Sequence, residues 1–339
     1  MEKIARRAKI AVQYNGTDIS ADIAPMVGWL TCTDNASGKA DDLEIELENR
    51  DGRWHGDWFP DKGAELTASI ECENIPEIGK SMSYPCGVYV IDEIEVSSPP
   101  SKAVIRAVSA NVKKSLRRED KTKAWENITL SAIVNEIAEN HGLEAMYEAP
   151  DVEYNRKDQR KESDLAFLSR LAEDAAFRLK VAERKIILYS GEKFDAKDPV
   201  LTFTPEDIGK WRFTSEAHEV FSACRVAYWD PAEKITLNYT FEPKNGPESG
   251  QVLVVNERVE SLAAAEKLAK AKLRQANQNE ITGEIRGMGD PRLFAGSNIS
   301  LSGFGVFSGK YFIEQVQHAY SPNDGYSTSA SVRRAMEED

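Results

Sequence analysis

Cysteine is scarce. Cys32, Cys72, Cys86 and Cys224 are the only four in 339 residues, and no two share a CxxC spacing. That excludes a disulfide scaffold and leaves four reduced, buried, small apolar side chains as the reading. Histidine is as rare: His55, His141, His218 and His318 form no HxH, HxxxH or HExxH, so the spacing marks no metal ligands. No stretch approaches the roughly 18 uninterrupted apolar residues of a membrane span. The two arginines near the start have no apolar run behind them, so no signal peptide is read and the chain is expected to fold in a cytosol. With 14 Pro and 21 Gly, collagen-like and low-complexity classes are out. A basic tract is missing as well. The net charge is -13, and residues 1–116, 117–190 and 191–339 carry -6, -2 and -5 of it. A surface that grips phosphates would concentrate Lys and Arg.

Nucleotide loops and catalytic motifs are also absent. Gly287-Met-Gly289 lacks a third glycine and Gly303-Phe-Gly305 leads into a strand, so neither cradles a phosphate. There is no GxSxG and no GxxxxGK(S/T). A glycosidase carboxylate pair stays open among 56 acidic residues, though nothing marks one pair out. Trp54, Trp58 and Phe59 around Pro60 read as a local hydrophobic cluster ahead of a sugar platform. No catalytic, cofactor-binding or metal-ligating residue is assigned, and no enzyme is expected.

What is present is periodicity that changes twice. With 41% hydrophobic and 29% charged residues, the chain is globular and long enough for two or three domains. Leu43, Ile45 and Leu47 alternate with Glu44, Glu46 and Glu48, a strand with one buried and one acidic face. Asn15-Gly16 and Ser97–Pro100 read as hairpin turns. Leu130, Ile133, Val134, Ile137, Ala138 and His141 then fall on one helical stripe, with Thr129 as N-cap and Gly142 just past the end. His141 reads as a core or capping residue. A second helix is expected over about 163–177, and 151–161 reads as a polar loop. The final stretch returns to strands near 221–229, 234–241, 281–288, 298–301, 311–317 and 327–333. A loop over 245–250 and a helix over 262–276 interrupt them, and His318 is expected to make a turn hydrogen bond. The fold class is mainly β with an α+β insert. The boundaries are 1–116 for a first β-barrel, 117–197 for the insert and 198–339 for a second β-barrel.

One pattern occurs twice. Gly87-Val-Tyr-Val-Ile-Asp-Glu-Ile94 returns as Gly309-Lys-Tyr-Phe-Ile-Glu-Gln-Val316, or G-x-Y-x-I-(D/E)-x-(I/V). Each copy follows a G-x-x-(L/I), at Gly63 and at Gly296, and each leads into a turn and another strand. The spacing to the motif glycine is longer in the first copy, which would carry an excursion holding Cys72. Either two aromatic hairpins coincide, or one β-module is duplicated around an insert.

Residues Asp41-Asp-Leu-Glu-Ile-Glu-Leu-Glu-Asn-Arg-Asp-Gly52, then Pro60 and Gly63, resemble the signature of the phage late control protein D family. These are baseplate hubs of contractile tails, related to the hub part of VgrG-type injection proteins. The resemblance runs on through Gly87-Val-Tyr-Val-Ile-Asp92, the helix from Leu130, and Lys161-Glu-Ser-Asp-Leu-Ala-Phe-Leu-Ser-Arg-Leu-Ala172. It ends with Gly309-Lys-Tyr-Phe-Ile313 and Gly325-Tyr-Ser-Thr328. It implies a homotrimer of paired, tube-like β-barrels that adapts a hexameric tail tube to a trimeric central spike. Partners would be the spike, the tube protein, the tape measure protein and other baseplate proteins. DNA or cargo would pass through the lumen without specific binding, and an acidic lumen would repel phosphate. The location would be the host cytoplasm during assembly, then the virion tail. Ending at Asp339, the chain is expected to lack a fused spike or lysozyme domain. The alternatives are the same hub in a bacteriocin or toxin-injecting particle, a peptidoglycan hydrolase, and a carbohydrate-binding tail component.

Overall fold

The structure is a computed structural model that describes residues 5–75, 77–109, 116, 119–182, 184–216, 220–230, 235–243, 250–257, 259 and 261–336. The first barrel grows from the alternating segments. Its strands lie in the order Val27–Asn35, Asp42–Glu48, Lys102–Ser109, Ser81–Ser97, Glu65–Glu73, Arg7–Tyr14, every neighbour antiparallel. Leu43, Ile45 and Leu47 face inward and are buried while the glutamates between them stay wet. They share a core with Leu30, Leu66, Ile70, Tyr89, Ile91 and Ile105. The excursion that holds Cys72 is a longer hairpin: Cys72 pairs with Met82 and Glu73 with Ser81.

The second barrel uses Lys210–Ser215, Ile281–Met288, Gly325–Arg334, Gly309–Ser321, Asn298–Leu301 and Pro199–Phe203 in that order. Its core is separate, with Ile285, Ile299, Leu301, Tyr311, Ile313, Val316 and Val332. The two barrels share one 13-stranded sheet, because Gly309–Ser321 pairs antiparallel with Val27–Asn35. The architecture is the mainly β fold with an α+β insert that the sequence implied.

In the insert, helix Leu130–His141 is capped as expected. Thr129 Oγ1 accepts from the Ala132 N–H at 3.2 Å, and Gly142 takes a left-handed φ of 65 degrees. The second helix is Asp164–Asp174, shorter than the sequence suggested. Ala176 sits at φ 57 degrees and turns the chain, so Phe177 opens a strand instead of closing the helix. A three-stranded sheet, Phe177–Ala182, Lys185–Ser190 and Glu144–Glu148, packs on both helices through Ile186 and Leu188. The polar stretch expected as a loop is the strand Glu153–Ser163, paired with Asp120–Thr129. Its side chains bond to one another: Arg156 bridges Glu126 and Asp158, and Arg160 also holds Asp158. Ion pairs take the place of apolar alternation there, so the strand period was hidden.

A fourth small core belongs to a lobe inside the second barrel segment. Strands Ala223–Asp230, Ile235–Phe241 and Val252–Val255 form a sheet, and helix Leu262–Asn277 covers it through Ala265, Ala269 and Leu273. The loop expected over 245–250 lies, up to 249, outside the described residues.

Candidate assembly surface

The repeated motif occupies matching positions in the two barrels. Leu66 is opposite Tyr89 as Ile299 is opposite Tyr311, and Ala68 is opposite Gly87 as Leu301 is opposite Gly309. Gly63 N–H donates to the Ile91 carbonyl at 2.9 Å, and Gly296 N–H donates to the Ile313 carbonyl at 2.9 Å. On the other side, Ile91 faces Ala107 and Ile313 faces Val332. Both registers then shift by one residue, leaving Asp92 and Glu314 as the extra residue of a β-bulge. The acidic position of the motif is therefore a bend. Continuing outward, Leu30–Ile45–Ile105 in the first barrel corresponds to Trp211–Ile285–Ala330 in the second. The outermost pairs differ: Arg7–Tyr14 runs antiparallel to its neighbour, Pro199–Phe203 parallel.

The seam between barrels is made where the bulge releases Gly309–Ser321 from its first neighbour. Residues up to Phe312 pair with Asn298–Leu301; from Gln315 to Tyr320 the same edge pairs with Val27–Asn35. Asn35 lies opposite Gln315, Cys32 opposite His318 and Leu30 opposite Tyr320. Gln315 Nε2 donates to Asn35 Oδ1 at 2.8 Å and Ala36 N–H donates to the Glu314 carbonyl at 2.8 Å.

His318 sits inside this seam, fully buried, where the sequence suggested a turn. Its ring stacks on Tyr84 with centroids 3.6 Å apart. Nε2 lies 3.0 Å from the Leu293 carbonyl, which can only accept, so Nε2 carries the proton. Nδ1 therefore accepts from the Tyr326 hydroxyl at 2.6 Å. Burial holds the imidazole down at a pKa of about 4, against the smaller upward pull of the Leu293 hydrogen bond.

Two carboxylates fasten the insert to the barrels. Asp34 pairs with Lys180 and accepts the Ala295 N–H at 2.9 Å. Asp195, 1% exposed, lies 2.7 Å from Arg274 and 2.9 Å from Arg333. The Tyr189 hydroxyl donates to the Ala36 carbonyl at 3.0 Å. Sequence reasoning singled out none of these; each joins elements distant in sequence, 79 residues apart for Asp195 with Arg274 and more than 100 for the others, and no local pattern signals it.

The remaining sequence candidates stay dispersed. His141 is buried, with Nε2 2.7 Å from Asp164. His55 Nδ1 lies 2.8 Å from Asn49 Nδ2, and His218 lies outside the described residues. Trp54 is buried edge-on to Trp58 with centroids 5.6 Å apart, a local cluster as expected. Cys32, Cys72 and Cys224 are buried; Cys86 is half-buried, its sulfur 2.9 Å from that of Cys32. Burial pushes the Cys72 and Cys224 thiols up to about 11. Two open clefts of about 340 and 370 Å³ have no histidine or cysteine in their linings. Among the described residues no three His, Cys, Asp or Glu side chains gather as a metal site. What the surface offers is strand edges, and strand edges bind other strands.

The doubled barrel with its insert is a fold shared with phage tail proteins and related injection proteins. The tail protein from Neisseria meningitidis MC58 superposes with a TM-score of 0.70 at 13% identity over 97% of each chain. A type VI secretion component of E. coli, described as structurally similar to T4 bacteriophage tail proteins gp27 and gp5, superposes with a TM-score of 0.55. It is 13% identical, over 98% of this chain and 77% of that one. These likenesses are of fold. In sequence, the probable baseplate hub protein of Escherichia phage 186 is 30% identical over 266 residues, 76% of this chain and 62% of that protein. That of Escherichia phage P2 is 34% identical over 211 residues, 60% of this chain and 51% of that protein. The chain spans about half to three fifths of the length of these curated relatives. A family model described as Alg8_N, Alg8 N-terminal domain, matches residues 86–321, well over half of the chain. The chain is similar to these baseplate hub proteins, and it belongs to the family that this model describes. The hub name is the one its curated relatives carry.

Proposed function

We propose that this chain is the structural hub of a contractile tail baseplate, three copies forming a ring that adapts a hexameric tube to a trimeric central spike. The observation that carries the reading is the matched register of two barrels within one chain. Three copies of a doubled module present six like units around a three-fold axis, which is what joining a six-fold to a three-fold partner requires. Residues 1–116, 117–197 and 198–339 are the working division, with the lobe of 223–277 carried by the last. The partners would be the tube protein on one side, the spike on the other, and the tape measure and other baseplate proteins around them. The chain would be assembled in the host cytoplasm and carried in the virion tail. Its role would be geometric, without catalysis or a cofactor. Glu44, Glu46 and Glu48 on the sheet face turned away from the core would, facing a bore, let DNA or cargo slide without sticking.

Native mass measurement of the full-length chain, alone and co-expressed with its spike protein, tests this. A trimer that binds one spike trimer is the expected result. A monomer that binds the spike one to one would overturn it. The likeness to the E. coli secretion component supports a second reading, the same hub in a toxin-injecting particle; packaged DNA in purified particles would decide for a phage.

A further inference from the structure

We infer that Cys32 and Cys86 are a disulfide-forming site: two thiols while the chain folds, and a cross-link through the first barrel once a low-molecular-weight disulfide reaches Cys86. The chemistry goes beyond the ring proposed above and does not depend on it.

The two cysteines come from strands that are not neighbours. Cys32 lies in Val27–Asn35 and Cys86 in Ser81–Ser97, with Asp42–Glu48 and Lys102–Ser109 between them in the sheet. The curl of the barrel brings them together across its interior, and their sulfurs stand 2.9 Å apart. A bulge makes the approach possible. Ala68 pairs with Gly87 and Ser69 with Pro85, so Cys86 is the extra residue between them. Tyr84, Cys86 and Tyr89 therefore all pack on the core of the first barrel, where strict alternation from Tyr84 would turn Tyr89 outward. The Tyr89 hydroxyl donates to the Cys86 carbonyl at 2.6 Å and holds the bend. The remaining cysteines are engaged elsewhere. The Cys72 sulfur lies 3.7 Å from the Ile70 carbonyl of its own strand, and Cys224 belongs to the core of the lobe. The second barrel carries no counterpart: by the register that matches the two barrels, Phe213 stands in the place of Cys32 and Ser308 in that of Cys86.

Unequal exposure sets the order of the chemistry. Cys86 is half-buried, whereas Cys32 is buried and burial pushes its thiol well above the ordinary value. A small disulfide meets Cys86 first. The Cys86 thiolate attacks one sulfur of the reagent, forms a mixed disulfide and expels one thiolate. The Cys32 sulfur then attacks the Cys86 sulfur and expels the second thiolate, which takes up the Cys32 proton. The two protein thiols lose two electrons and two protons, and the reagent leaves as two thiols. The link joins positions 54 residues apart. It also ties two walls of the seam, because Cys32 lies opposite His318 and Tyr84, two residues before Cys86, stacks on the His318 ring. A reducing cytosol keeps the pair open and an oxidising medium closes it. On the route proposed above, the bond would form after release.

The test is incubation of the folded full-length chain with 2-hydroxyethyl disulfide. It is read by intact mass after alkylation of the remaining thiols, by peptide mapping without reductant, and by thermal melting. The expected result is the loss of two alkylatable thiols and a linked peptide that joins Cys32 to Cys86. Dithiothreitol should reverse both, and the melting midpoint of the linked form should rise by about 5–10 °C. Cys86→Ser, made at the half-buried position, should form no such link and show no rise with the reagent. Four thiols still free in the treated native chain, a mixed disulfide that stops on Cys86, or a map that joins Cys86 to Cys72 would each overturn the site. A Cys32–Cys86 link with an unchanged midpoint would overturn its action as a clamp.

Discussion

Tyr89 and Tyr311 each turn a hydroxyl back onto the chain just before them: Tyr89 donates to the Cys86 carbonyl at 2.6 Å and Tyr311 to the Phe307 carbonyl at 2.9 Å. Both rings are buried, at 2% and 0% exposure, opposite Leu66 and Ile299. Removing either hydroxyl leaves a carbonyl without its donor in a dry place. Tyr89→Phe and Tyr311→Phe should each cost about 1 kcal/mol, and the two costs should agree. Denaturant unfolding of the two variants checks it; a cost in one barrel alone would break the equivalence of the motif copies.

Gly63 and Gly296 begin the matching strands at φ 88 and 86 degrees. A Cβ at Gly63 would meet nothing within 4 Å, and at Gly296 only the Phe194 ring at 3.9 Å. Space is free at both, so the cost of a side chain is that of the left-handed backbone alone. Alanine at either position should lower stability by about 1–2 kcal/mol, and asparagine by less. Thermal melts of the four variants would show the ranking, and an alanine as stable as glycine would contradict it.

The histidine of the seam gives the fold a pH dependence of known sign. In the folded chain its pKa is held down at about 4 by burial, below the ordinary value near 6.5. The unfolded chain therefore binds the extra proton first as pH falls. Stability from His318 is full above the unfolded value and is lost as pH drops toward 4. The loss should be on the order of 3 kcal/mol. Asp34 and Asp290 stand near enough to pull the pKa up slightly. Urea titrations between pH 7 and 4 should show this slope in the native chain and its disappearance in His318→Gln.

Asp195 answers two guanidinium groups at once, and Arg333 also lies over the Phe312 ring at 4.5 Å. Taking the carboxylate away removes the nearer counterion of buried Arg333, whose other carboxylate neighbour, Glu314, lies at 3.6 Å. Asp195→Ala should cost about 3–5 kcal/mol, whereas the double change Asp195→Leu with Arg333→Leu should cost less than the sum of its parts. Amide exchange would place the loosening at helix Gly191–Ala196 and the end of strand Gly325–Arg334.

Much of this fold was legible because apolar spacing and glycine placement are local. The helix from Leu130 announced itself by its stripe and caps, and the motif at Gly87 and Gly309 marked the duplicated hairpins. The strand at Glu153–Ser163 was not legible, since Arg156, Asp158 and Arg160 satisfy one another across the ribbon and leave no apolar face to count. The lobe under helix Leu262–Asn277 read as an interruption, because a core drawn from Cys224, Val226 and Leu273 looks like ordinary strand and helix residues one at a time. The seam was invisible for a different reason: Cys32 and His318 meet only through folding at long range, and neither residue type foretells a strand partner. The likeness to baseplate hubs was readable from short motifs in order.

Because Val27–Asn35 finds its seam neighbour in Gly309–Ser321, a strand synthesised early waits for one synthesised much later. Until that later strand emerges the first barrel offers a naked hydrogen-bonding rim, a hazard on a crowded polysome where neighbouring nascent chains display the same rim. The emergence of Gly309–Ser321 is thus itself the step that retires one sticky border.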